Sequence, residues 1–109
     1  MSRLEGNKTL VKLSLIFAHP PDPEAFEERY NNNLALLEKM PNLLRRQACV
    51  VLGGPGGKSP YYRILEFYFE SFDLLDAALT SAEGRAAGND LMQFAGQKVE
   101  LVFSEVFEE

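Results

Sequence analysis

The chain has 109 residues, a formal net charge of −5, eight Phe, four Tyr and a single Cys. That length suits one domain, and the acidic balance with scattered Lys and Arg disfavours nucleic acid and anionic membranes as partners. Cys49 alone makes no internal disulfide or cysteine metal cage. No apolar run approaches the ~20 residues of a transmembrane helix and Met1–Lys8 lacks a signal-peptide pattern, which together point to a cytoplasmic protein.

In chain order, residues 1–8 read as a flexible polar arm and 9–109 as the single domain. Leu10–Ala18 reads as a first strand, with Val11, Leu13, Leu15 and Phe17 on one face and Leu10, Lys12, Ser14, Ile16 and Ala18 on the other. The first face is drier and is expected to meet helices. His19-Pro20-Pro21 ends the strand, because proline donates nothing to a ladder. Asp22 stands where an N-cap belongs, with Pro23 at the first helical position and Glu24 in the first turn. The first helix then runs to about Lys39 and is closed by Pro41. Its stripe is Phe26, Tyr30, Leu34 and Leu37.

Leu43–Leu52 reads as a second strand, with Cys49 and Val51 on its helix-facing side. Gly53–Pro60 is a glycine-rich, flexible connection to a third strand at Tyr61–Glu70. Ser71 or Asp73 caps a second helix, which restarts with a kink at Thr80 or Ser81. Gly96 closes it, and Val99–Phe107 is the fourth strand. The order β-α-β-β-α-β is a split βαβ arrangement, giving an α+β, ferredoxin-like fold with a four-stranded antiparallel sheet. Helices cover one face of that sheet. The bare face carries Ser14 and Ile16, Ile64, Glu66 and Tyr68, and Glu100, Val102 and Ser104, and so much apolar surface calls for a partner.

Four stretches carry a resemblance to a known family. They are Pro21-Asp22-Pro23-Glu24-Ala25-Phe26 with Tyr30; Met40-Pro41 before Leu43-Leu44-Arg45-Arg46; Ser59-Pro60-Tyr61-Tyr62 with Glu66-Phe67-Tyr68-Phe69 and Ser71-Phe72-Asp73; and Ser81–Ala87 leading to Asp90-Leu91. In their order and spacing the chain resembles the EthD family of dimeric α+β-barrel proteins. The resemblance implies a homodimer that packs two sheets face to face around a barrel able to hold a small organic molecule. It also implies an association with breakdown of ethers and other organic compounds, and relatives that act without cofactors on aromatic polyketides. The family pattern has a His eight residues before the proline that closes the first helix. Counting back from Pro41 gives Asn33, so chemistry that relied on that His is in doubt here.

The candidate residues follow from these placements. Asn33 falls inside the apolar arc of the first helix, as a core amide or as a binding group on a pocket wall, and has no proton to trade near neutral pH. His19, the one histidine, stands at the strand end without the neighbours of a metal site, and no metal is expected. Glu66 and Tyr68 share a face two residues apart; enclosure by a dimer would desolvate Glu66, which is how a general acid or base is made. Gly57-Lys58-Ser59 evokes a phosphate loop, but the earlier glycine's position is Leu52 and a strand follows, so no nucleotide and no cofactor is expected. Cys49 reads as a buried, inert thiol.

The leading reading is a homodimeric binding protein accessory to catabolism of a hydrophobic or aromatic organic compound. Its ligand would lie between sheet and first helix at the dimer barrel, against Ser14, Ile16, Tyr30, Asn33, Ile64, Glu66, Tyr68 and Val102. The alternative is a cofactor-independent enzyme of isomerase, dehydratase, decarboxylase or monooxygenase type on an aromatic substrate, with His19, Glu66 and Tyr68 as catalytic candidates converging on one cavity. A structural dimer with a filled barrel is a third reading.

Overall fold

Alternation in the first strand decides the layering. A computed structural model describes residues 8–108; most of the polar arm expected at 1–8 lies outside the described residues, and Lys8 already belongs to the first strand. The elements are β1 (Lys8–Ala18), α1 (Pro23–Leu37), β2 (Arg45–Val50), β3 (Tyr61–Phe69), α2 (Phe72–Thr80), α3 (Ala82–Ala95) and β4 (Val99–Glu108). The sheet order is β2-β3-β1-β4, antiparallel throughout. One helical layer lies on one sheet, a slab 47 × 40 × 18 Å across its Cα atoms. The α+β, ferredoxin-like architecture read from the residue pattern is the one present.

The core forms where odd-numbered strand residues meet helix stripes. Leu13, Leu15 and Phe17 of β1 and Leu65, Phe67 and Phe69 of β3 are buried against Phe26, Tyr30 and Leu37 of α1, Leu75 and Ala78 of α2, and Ala87, Leu91 and Ala95 of α3. Phe17 is wholly buried. Its ring meets Phe26 and Tyr30 edge-on at 5.4 and 5.8 Å and stacks on Phe94 at 6.5 Å. Burying each such side chain contributes about 1.5–3 kcal/mol.

Helix ends follow the sequence signals. Asp22 accepts the Ala25 N–H at 3.2 Å, and Ser71 accepts the Leu74 N–H at 3.2 Å, each filling an orphan donor of a first helical turn. Ser81 separates α2 from α3: its hydroxyl donates to the Ala78 carbonyl at 2.6 Å and accepts the Gly84 N–H at 3.0 Å. The helices meet so closely there that a Cβ on Gly84 would lie 2.1 Å from the Ala78 carbonyl oxygen. Gly96 caps α3 in a right-handed conformation, so the left-handed freedom expected of a terminal glycine is unused.

Three expectations need correction. Cys49 pairs with Ile64 on β3 and therefore shares the bare face, exposed. Pairing, rather than the apolar character of a thiol, sets the facing of an edge strand. The buried stripe of α1 is Phe26, Tyr30, Asn33 and Leu37, with Leu34 only half-buried, because α3 packs on the Asn33 side. The connection after β2 is folded as well. Gly54 and Gly57 exchange N–H···O bonds of 3.0 and 2.9 Å, and Gly53 holds φ 144°, where a Cβ would strike the Gly57 carbonyl oxygen at 2.3 Å.

Candidate functional site

Cross-strand register assembles the bare face. Ser14 lies between Glu66 and Val102, Ile16 between Ile64 and Glu100, and Lys12 between Tyr68 and Ser104. On the outer strand Arg45, Gln47 and Cys49 stand opposite Tyr68, Glu66 and Ile64. Six of the eight expected ligand residues, Ser14, Ile16, Ile64, Glu66, Tyr68 and Val102, are therefore on one surface.

A polar network occupies its middle. Lys12 Nζ donates to Glu66 Oε2 at 2.7 Å, and this bond holds the ammonium protonated above the ordinary lysine range, against the opposing effect of burial. The Tyr68 hydroxyl lies 3.0 Å from Gln47 Oε1 and 3.4 Å from Glu66 Oε1. With one proton to give, it serves the nearer amide and leaves Glu66 Oε1 weakly engaged. The Arg45 guanidinium sits 3.8 Å over the Tyr68 ring, a cation–π contact that buries the ring even on the open face. Ile16 and Ile64, half-buried, and Val102, exposed, frame the network. Chemically this is a phenol, a carboxylate and two cations set in an apolar surround, suited to orienting a mainly apolar molecule that carries one or two polar groups.

Tyr30 and Asn33 lie behind the sheet and share no surface with those six. Asn33 is 1% exposed; its Nδ2 donates to the Ala87 carbonyl and to Asp90 Oδ2, both at 3.0 Å. Asp90 Oδ1 in turn accepts from Arg29 at 3.2 Å, so the amide ties α1 to α3. Tyr30 packs among Phe17, Phe26 and the Arg63 guanidinium, which lies 4.5 Å over its ring. Among the described residues its buried hydroxyl meets no hydrogen-bond partner, and burial pushes its ionisation up. The interval between α1 and the sheet, where a ligand was expected, is filled by these rings.

A second charged group closes that interval. Arg63 donates twice to Glu27, at 2.6 and 3.1 Å, and Tyr62 donates to the same carboxylate at 2.8 Å. The Arg63 bonds hold Glu27 below the usual carboxylate range, while giving its proton to Glu27 raises Tyr62.

His19 does not converge on Glu66 and Tyr68. It stands five residues beyond Ser14 along β1, roughly 16 Å at the rise of a strand. Its Nε2 donates to the Ser59 carbonyl at 2.9 Å, and its ring meets Tyr62 edge-on at 5.7 Å. There it borders an open cleft of about 460 Å³ lined also by Val51, Leu52, Gly53, Gly57, Lys58, Ser59 and Tyr61. Among the described residues no group of three or more His, Cys, Asp and Glu is arranged around a possible metal ion, and no helix is long and apolar enough to cross a membrane.

Sequence reasoning missed Lys12, Arg45 and Gln47 as members of the bare-face network. Lys12 was within reach, since it alternates with Ser14 and Ile16. Arg45 and Gln47 gave no signal, because the facing of β2 is fixed only by its pairing with β3.

Comparison with known proteins sets this geometry in a family. The EthD domain model matches residues 18–98, so the chain belongs to the EthD-domain family. An ethyl tert-butyl ether D (EthD) family protein from Bacillus halodurans superimposes with a TM-score of 0.85 at 35% identity, covering 92% of this chain and 98% of its own. An uncharacterized 11.0 kDa protein encoded in the thcB–thcC intergenic region of Rhodococcus erythropolis is 29% identical over 97 residues, 88% of this chain and 94% of its own. A dimeric ferredoxin-like protein of unknown function from a Jannaschia species matches in fold, with a TM-score of 0.69 at 18% identity over 90% of this chain and 99% of its own.

Proposed function

We propose that this EthD-family chain is a homodimeric binding protein for a small hydrophobic or aromatic organic molecule, accessory to the catabolism of such a compound. The observation that carries the reading is the bare sheet face. A Lys12–Glu66–Tyr68–Gln47 network there is framed by Ile16, Ile64 and Val102 and left uncovered by the chain's own helices. A second copy packed face to face through those three residues would remove the frame from water, and the ligand would lie between the two sheets with the phenol and amide fixing its orientation. The dimeric state of the Jannaschia protein supports the pairing.

Sedimentation at micromolar concentration tests the assembly, and fluorescence titration with a panel of aromatic ethers and phenols tests the site. The expected result is a dimer that binds part of the panel, and a Val102→Asp variant that is monomeric and binds none. A monomeric unmutated protein overturns the reading. A dimer that binds nothing would leave the structural dimer with a filled barrel.

A second reading is supported by the position of the Tyr68 hydroxyl between Gln47 and Glu66, beside Lys12. There the phenol and carboxylate would transfer protons on the bound molecule without a cofactor, as isomerisation, dehydration or decarboxylation requires. Tyr68→Phe separates the readings: it should abolish turnover and spare affinity if the site is catalytic, and lower affinity alone if it only binds.

A further inference from the structure

The cleft beside His19 stands apart from the bare sheet face. Its walls are built rather than incidental. The ladder is extended by Val51 N–H donating to the Tyr62 carbonyl at 3.1 Å, and the reciprocal Gly54–Gly57 bonds fold the following segment back on itself. Only glycine fits at position 53, where φ is 144° and a Cβ would meet the Gly57 carbonyl oxygen. Ser59 then fixes both neighbours: its carbonyl accepts from His19 Nε2, and its hydroxyl accepts the Tyr61 N–H at 3.1 Å.

The lining has a definite sign. Lys58 brings a positive charge to it and His19 an imidazole, and none of the residues that line it is acidic, in a chain whose net charge is −5. Lys58 forms no ion pair among the described residues. The bond to Ser59 engages His19 Nε2 and leaves Nδ1 for a ligand. The backbone N–H groups of Gly53, Lys58 and Ser59 donate to no protein acceptor among the described residues. The same lining includes Val51, Leu52 and Tyr61, and Leu52 is 98% exposed. The volume, about 460 Å³, is in the range of small-molecule sites.

We propose that this cleft is a second site, binding a small organic carboxylate with its charged end toward Lys58 and His19 and its apolar body on Val51, Leu52 and Tyr61. A bare inorganic anion would leave the apolar wall wet. A neutral aromatic would leave Lys58 without a counter-charge. The proposal is independent of the sheet-face reading, because the two surfaces share no residue.

Titration of isotope-labelled protein followed by NMR, with benzoate as probe and inorganic phosphate and benzyl alcohol as comparators, tests it. Benzoate should give saturable shifts at the Gly53 and Lys58 amides and the His19 ring, with both comparators weaker. Lys58→Gln, at an exposed unpaired side chain, should weaken benzoate by about five-fold, as loss of one solvent-exposed charged contact does, and His19→Gln should weaken it less, through loss of one hydrogen-bonding group. The proposal is overturned if benzoate gives no saturable shift, if phosphate or benzyl alcohol binds as well as benzoate, or if the shifts fall on Lys12 and Arg45 instead. A Lys58→Gln variant with unchanged benzoate affinity overturns it too.

Discussion

The two sides of the sheet carry the same chemical kit in different states. Behind the sheet, toward α1, Glu27 is joined to Arg63 and Tyr62, next to Tyr30. On the bare face, Glu66 is joined to Lys12 and Tyr68, next to Arg45. Glu27 accepts three bonds of 3.1 Å or less and has little left to offer a newcomer. Glu66 accepts one short bond from Lys12, and its second oxygen meets Tyr68 only at 3.4 Å. A carboxylate, a cation and tyrosines therefore do not by themselves define a site. What separates the two groups is spare hydrogen-bonding capacity and not exposure, since the Glu27 side chain is 33% exposed and that of Glu66 17%.

The strongest way to test this comparison uses neighbours in the chain that point to opposite sides. Phe17→Ala should cost about 3–5 kcal/mol in denaturant unfolding, because three aromatic rings close on the side chain and the cavity cannot collapse. Ile16→Ala, one residue away on the bare face, should cost about 1–2 kcal/mol in the monomer, since part of the side chain is already wet. Equal losses for the two would mean that the faces are not distinct.

Asn33→Leu should cost about 1–3 kcal/mol, because the Ala87 carbonyl loses its buried donor and Asp90 keeps only Arg29. Binding at the bare face should be unmoved, since the whole sheet stands between. Unchanged stability together with weakened binding would instead make Asn33 a wall of the ligand site.

The smallest expected effect is electrostatic. Glu27 ionises more readily when folded than its ordinary value of 4.5, so its contribution is present above that value and is lost as pH falls through the lower, folded value. Glu27→Gln should flatten that acid-side loss by about 1 kcal/mol or less, because water screens a pair at the rim of the core. The Lys12 contribution runs the other way. It is present below the ordinary lysine value of 10.5 and is lost as pH rises through the raised, folded value. Lys12→Met should therefore remove an alkaline-side slope.

Much of the fold was legible because its signals are local. The parity of β1, the Asp22 and Ser71 caps and the restart at Ser81 each depend on a few consecutive residues, and the composition of the bare face on β1, β3 and β4 followed from alternation. Asn33 could be placed within the apolar arc of α1, but its acceptors lie 54 and 57 residues away on α3. Nothing local could choose between a pocket wall and a tie between helices.

By itself, then, the sequence determined the order of elements and which residues of β1, β3 and β4 share a face, since periods of 2 and 3.6 residues are properties of a short backbone segment. Tertiary structure alone decided that Cys49, Gln47 and Arg45 join the bare face, that Tyr68 lies between Gln47 and Glu66, that aromatic rings fill the space behind α1, and that His19 serves a separate cleft. The physical reason is that pairing register and helix docking are set by hydrogen bonds and packing between segments distant in the chain. A shift of one residue in β2 would turn every one of its side chains to the other side.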